Sequence, residues 1–415
     1  MLADSHPGHL QPSSKNAMRR KIPIIYIVVS SIFISCQSGP EITIKNEKKG
    51  HLKATKRLEI TEEKQFPLDS LSAPRPPYIE LFSDSSGDSR LAMLSGFSKN
   101  ILIYNYDSSN SPIHKIPIGN VQIPLAFHIK NMDSIYVYND QFLEMDLLNN
   151  KSEIVSKISL VNNTNLKDLG WTFKYPQYMP HSVNKMIEHE GKLIFPGQYI
   201  WTIPDAIVKN FKFSTAIDMN SNQVSFLNTY PYDIYGHGYV WDEPIYTNVY
   251  YHMTPDNKKM ICSFPVSHDL FIYDMESNKE QVVYGGSNGA ENISSMDPAK
   301  FKSKTVAPKE YIYQQSCKSD LYAGILYDKY RKVYYRFLRK GIPEGARFKW
   351  ENKKVNVIVM DENFNYLGET EIGDMNEFYP DNSFVTKEGL NIEYVDPNDV
   401  KEEFLRFKIF ALKNI

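Results

Sequence analysis

The chain has 415 residues, of which 42% are hydrophobic and 23% charged. That is room for one large domain or two ordinary ones, and it excludes wholesale disorder. The net charge is −2, and residues 1–36 hold four basic side chains and one acid, so the remainder carries 43 basic against 48 acidic groups, or −5. A mildly acidic body lacks the positive footprint that phosphate backbones demand, so nucleic acid is not an expected partner.

The first element in chain order is the stretch IPIIYIVVSSIFISCQSG, Ile22 to Gly39. Its apolar run, Ile22 to Ser35, is 14 residues long, short of the roughly 20 that a helix needs to cross the hydrocarbon of a bilayer. Arg19, Arg20 and Lys21 stand directly before it, and small Ser35 precedes Cys36. Basic start, short apolar core, small residue and cysteine make the order of a bacterial lipoprotein signal, with Cys36 as the lipidation site. Phe33 stands where Leu is usual in such a signal. An uncleaved N-terminal anchor is the rival reading. Residues 1–17 fit no signal peptide and Met18 precedes the basic triplet, so Met18 is the expected start of translation. The expected organisation is therefore 1–36 as upstream extension plus signal peptide, 37–50 as polar tether, and 51–415 as the folded domain.

From Leu52 onward one pattern recurs. An alternating apolar strand ends in Asp or Asn, a short polar turn follows, and a second strand returns. It is seen at Ile101–Ile118, Phe142–Leu160, Leu270–Tyr284 and Val355–Ile372, and more weakly at Ala216–Leu227. Period-two alternation gives one face to a core, while Asp, Asn and Ser close a turn by accepting bonds from nearby backbone. The expected turn aspartates are Asp107, Asp146, Asp218, Asp274 and Asp361, unevenly spaced, with a shortest interval near the length of one four-stranded propeller blade. Aromatic residues reach 13%, with 28 Tyr and 22 Phe, which also favours β structure. Helical periodicity is confined to a turn or two at Asp297–Ser303. No regular strand–helix alternation supports a doubly wound sheet or an α/β barrel. The reading is an all-β chain, a β-propeller of six blades, with seven also compatible and a pair of β-sandwiches as the alternative. The early strand HLKATKRLEI is expected to complete the sheet of the last blade, EEFLRFKIFAL, and so tie the chain ends together.

The segment GILYDKYRKVYYRFLRK (Gly324 to Lys340), the repeated Tyr-Asp strand ends and the lipoprotein signal together resemble a known family. They look like the TolB-like six-bladed β-propeller lipoproteins, a domain-of-unknown-function family found chiefly in Bacteroidota-type bacteria. The resemblance covers most of the chain after Cys36 and is most specific at Tyr327–Phe337. It implies fold and location, and it supplies no catalytic residues.

Motifs for chemistry are sparse. GGSNG, Gly285 to Gly289, formally reads as a nucleophile elbow with Ser287 at its centre. An α/β-hydrolase needs its histidine after the serine, and the last histidine here is His268. A glycine-rich turn leaving a blade is the expected role. Glu188-His189-Glu190 would place two acids on one face of a strand, as a solvated hairpin edge rather than a ligand set. No zinc spacing, P-loop or dinucleotide fingerprint appears, so neither metal nor cofactor is expected. Cys262 and Cys317 are read as buried free thiols, although export would permit a disulfide.

The candidate ligand-binding residues lie in three segments. Tyr230–His252 offers Tyr232, Tyr235, His237, Trp241 and Asp242 in a glycine- and proline-bearing stretch, and Trp171 stands in a second such loop. Aromatic faces beside carboxylates suit a sugar or a peptide. An inter-blade connection whose rings cap the core is the alternative for both loops. Arg331 and Arg336 could meet an anionic ligand, or else stack on tyrosines and pair with acids of the next blade. The expected function is a non-enzymatic, lipid-anchored envelope propeller, outer membrane first among locations, that binds another envelope protein or a glycan. The alternatives are a glycoside hydrolase or lyase using Asp233, Asp242 and Glu243, or a structural part of an export or uptake complex.

Overall fold

The computed structural model describes residues 42–108, 110–277, 279–300 and 307–415. The signal, Met18, Cys36 and the first part of the tether lie outside the described residues. Six four-stranded antiparallel sheets follow one another along the chain. The innermost strands of the six blades are Ile79–Ser83, Pro124–Asn131, Ile187–His189, Tyr250–Met253, Leu321–Asp328 and Phe378–Val385. In each of the first five blades the next three strands add outward in sequence order. The chain is a six-bladed β-propeller, as the strand pattern predicts.

The sixth blade is completed by the start of the domain. Its outermost strand is Lys56–Pro67, which pairs antiparallel with Phe404–Asn414, bringing Leu58 opposite Leu412 and Phe66 opposite Leu405. Closure of this kind leaves no free sheet edge between the chain ends. It also explains the sequence pattern, because the five recurring hairpins are the third and fourth strands of blades one to five. The sixth blade has no such hairpin, since its fourth strand comes from elsewhere.

The turn chemistry is partly displaced from the expected aspartates. Asp218 Oδ1 accepts from Asn220 and Ser221, Asp274 Oδ1 from Glu276 and Ser277, and Asp361 Oδ1 from Asn363 and Asn365. In the first two blades that role falls to Asn105, the last residue of its strand, and Asn149, the first residue after its strand, while Asp146 is buried within a strand. The uneven spacing comes from long connections between the outermost strand of one blade and the innermost strand of the next. The connection before the fifth blade carries helix Lys309–Lys318, which the sequence pattern did not show, and a single 3-10 turn, Pro298–Lys300, within the stretch expected to be helical.

Aromatic rings fill the space between blades. Tyr104, Tyr230, Tyr235, Tyr251 and Tyr273 are buried and donate their hydroxyls to the carbonyls of Pro67, Thr247, Tyr246, Lys185 and Thr229. A tyrosine therefore supplies apolar area and also satisfies a carbonyl that a connection would otherwise leave without a partner. Cys262 and Cys317 are free and buried. The described part of the tether is pinned. Thr43–Ile44 pairs with Ile293–Ser294, and Asn46 Nδ2 donates to the carbonyls of Ser287 and Ala290.

Candidate functional site: a blind cup on the ring axis

The connection between the second and third blades dips into the ring axis. Its short 3-10 turn, Ser182–Asn184, bonds to the inner strands around it. Ser182 Oγ accepts from Ile79 N of the first blade at 2.8 Å and donates to Asn382 of the sixth. Asn184 accepts from Tyr251 N of the fourth blade at 2.8 Å and donates to the Val249 carbonyl at 2.5 Å. Val183 packs on Gly324 of the fifth, where an added Cβ would come within 2.8 Å of Val183 Cγ2. The turn is a plug. Beyond it the axis is filled by ion pairs: Arg339 holds Asp381 through two contacts of 2.6 Å, and Arg75 lies 3.4 Å from Glu393.

The plug turns the channel into a blind cup of about 370 Å³ that opens where the first and second strands of each blade meet. That volume lies in the range of small-molecule sites. Phe82, Phe384 and Tyr327 supply aromatic wall, and Tyr330, Lys185 and Lys329 stand exposed at the rim. Ser182, Val183 and Ser383 form the floor, and the buried Oγ of Ser383 has no hydrogen-bond partner in the protein. His252 also lines the cup. Its Nδ1 donates to the Met253 carbonyl at 2.8 Å, and burial pulls its pKa down to about 4, so the ring is neutral and Nε2 is an acceptor.

A charged bridge backs one wall. His128 Nδ1 lies 2.9 Å from Glu80 Oε1, and its Nε2 lies 2.9 Å from Glu188 Oε1. The three residues come from the inner strands of the first three blades. Burial lowers the imidazole pKa, but the two carboxylates outweigh it and raise it to about 9, so both nitrogens carry protons. Glu80 Oε2 also accepts from Ile129 N at 3.2 Å. Glu188, expected at a solvated edge, thus serves as a blade-to-blade partner, and the hydrogen bond from His128 holds its pKa below the usual carboxylate range.

The residues singled out from sequence lie elsewhere in the ring, apart from Arg331. Tyr235 and Trp241 are buried, and Trp241 Nε1 donates to the Ile234 carbonyl at 2.8 Å. Asp242 accepts from Ala307 N at 2.9 Å, and Trp171 Nε1 donates to the Leu166 carbonyl at 3.3 Å. Tyr232 and His237 stack edge to face with 4.6 Å between ring centroids, at the end of the ring opposite the cup's mouth. Arg336 is fully buried, lies over the Tyr322 ring at 3.9 Å, and donates to the carbonyls of His268, Gly285 and Ser267 in the fourth blade. It stacks on a tyrosine as expected, but its hydrogen-bond partners are carbonyls and the Ser263 hydroxyl rather than acids. Arg331 sits at the cup end and joins Asp328 to the Thr386 and Lys387 carbonyls of the sixth blade. Ser287 is buried and donates to Glu369.

The molecule is thus a six-bladed β-propeller, a closed ring with a plugged axis and a solvent-facing cup lined by its inner strands. The chain belongs to the family described as domain of unknown function DUF4221, whose model matches residues 57–371. A crystal structure of a DUF4221 member from Bacteroides vulgatus ATCC 8482 superposes with a TM-score of 0.68 at 16% identity, covering 87% of this chain and 99% of that one. A Bacteroides fragilis NCTC 9343 protein inferred to be exported gives a TM-score of 0.50 at 10% identity, covering 86% and 95%. No curated protein matches the chain. Among the described residues no helix is long and apolar enough to cross a membrane, and no group of three or more His, Cys, Asp or Glu is placed to hold a metal ion.

Proposed function

We propose that the protein is a lipid-anchored envelope protein, acylated at Cys36, whose propeller binds a small polar ligand or the end of a glycan without transforming it. It follows the form of the TolB-like propeller lipoproteins of Bacteroidota-type bacteria. The observation that carries this reading is the cup, whose lining includes the unpartnered Ser383 Oγ of the sixth blade and the acceptor nitrogen of His252 of the fourth. Buried hydroxyls without partners cost free energy unless something supplies the missing bond. Aromatic walls below a rim bearing Lys185 and Lys329 suit a hydroxylated ring that carries a carboxylate. Glu80, the acid among the lining residues, is engaged with His128, which favours binding over acid–base chemistry. Asp233, Asp242 and Glu243 lie at the other end of the ring, in the connection before the fourth blade.

Titration calorimetry with neutral hexoses, uronic acids and short acidic peptides tests the reading on the wild type and on Ser383→Leu. Binding that the substitution abolishes supports it. Binding equal in both proteins, or turnover of any probe, contradicts it.

A further inference from the structure

The end of the ring opposite the cup carries most of the exposed large apolar side chains, with Ile113, Met132 and Tyr330 among the exceptions at the cup end. Among the described residues Phe97, Phe142, Leu169, Phe173, Met179 and Trp201 are all exposed, with Phe97 at 84% and Leu169 at 67%. Each lies on a connection between outer and inner strands, or between second and third strands, of the first three blades. Several adjoin one another. Phe173 and Trp201 both approach Tyr199, with ring centroids 6.2 Å away, and Met179 Sδ accepts from Gln198 at 3.1 Å. Lys167 and Lys174 are exposed beside them. Phenylalanine, tryptophan and leucine flanked by lysine is the composition of a surface that rests at a membrane interface. Patches of this kind on a monomer mark an interaction surface.

The described chain begins at that same end. The Ile42 carbonyl accepts from Ser295 N at 2.9 Å, and Ser295 Oγ in turn accepts from Val240 N, both within connections at the end away from the cup. Residues 37–41 separate this fixed point from Cys36, and five residues reach at most roughly 20 Å. The geometry points to a bilayer as the occupant of the apolar face: the propeller lies with its connections against the lipid surface and its cup open to the side away from it. This rests on the lipoprotein reading above and adds an orientation and a second contact to it.

The test uses the full acylated protein in vesicles of phosphatidylethanolamine and phosphatidylglycerol doped with a bilayer-embedded nitroxide lipid. Single reporters are placed by Phe173→Cys, Phe97→Cys and, at the cup rim, Tyr330→Cys. The native Cys262 and Cys317 are buried and stay unlabelled. The expected result is quenching at 173 and 97 several-fold stronger than at 330. Equal quenching at the three positions, or stronger quenching at 330, overturns the orientation, as does a face that escapes quenching because a protein covers it. Mass analysis of Cys36 separates the two levels. A free thiol there overturns the lipoprotein reading itself, whereas an acylated cysteine without differential quenching overturns only the docked face.

Discussion

Oε1 of Glu80 in the first blade lies 2.9 Å from Nδ1 of His128 in the second, and the same imidazole reaches Glu188 in the third through its other nitrogen. Three adjacent inner strands are thus held by one protonated ring. The folded pKa, about 9, stands above the ordinary value of 6.5. A raised histidine contributes its stability in full below the unfolded pKa and loses it as pH rises through the folded one. The ring should therefore lose about 3 kcal/mol between pH 6.5 and pH 9.5. Chemical denaturation across that window checks this, and His128→Gln should flatten the pH dependence. A histidine variant with the wild-type profile would remove the bridge from the account.

Arg336 links the fifth blade to the fourth through the carbonyls of His268, Gly285 and Ser267 and the hydroxyl of Ser263. Lysine carries the charge but not the planar fork of donors. Arg336→Lys should cost about 3 kcal/mol, because several buried carbonyls lose their donor at once. Urea unfolding measures it. A loss below about 1 kcal/mol would show that water or backbone movement replaces the guanidinium.

Ring closure depends on Phe66, which is fully buried and packs edge to face with Tyr104 and Phe407 at centroid distances of 5.5 and 6.1 Å. Phe66→Ala should destabilise the protein by about 3 to 5 kcal/mol. It should also speed amide exchange selectively in Phe404–Asn414, the strand that it seals. Uniform acceleration in all six blades would mean that the closing strand has no special role.

The plug and Gly324 form a coupled pair. Gly324→Ala should cost about 1 to 3 kcal/mol, because Val183 must yield. Combined with Val183→Ala, the cost should fall, and a double-mutant cycle reads the coupling. Strict additivity would mean that the turn does not bear on the fifth blade.

The fold was legible because its signal is local. Alternation, Asx-closed turns and the Lys56–Pro67 strand can each be read within a dozen residues, and the five hairpins recur where blades must recur. The cup was not legible, because its lining comes from the inner strands of five blades and no short window contains it. A trace was present: Glu80 in YIELFS and His128 in LAFHIKN are ionisable residues inside apolar strands, a pattern that calls for a buried partner. The Tyr230–His252 segment misled in the opposite direction. An aromatic cluster that recognises ligand and one that seals two blades have the same composition, and only the burial of Tyr235 and Trp241 tells them apart.

The most direct test is the position of a bound ligand. Crystals soaked with the tightest binder from the calorimetric series should show it in the cup, with a hydroxyl or carboxylate within hydrogen-bond distance of Ser383 Oγ and His252 Nε2. Density on the Tyr232 and His237 surface at the other end, or an empty cup at saturating ligand, would contradict the account.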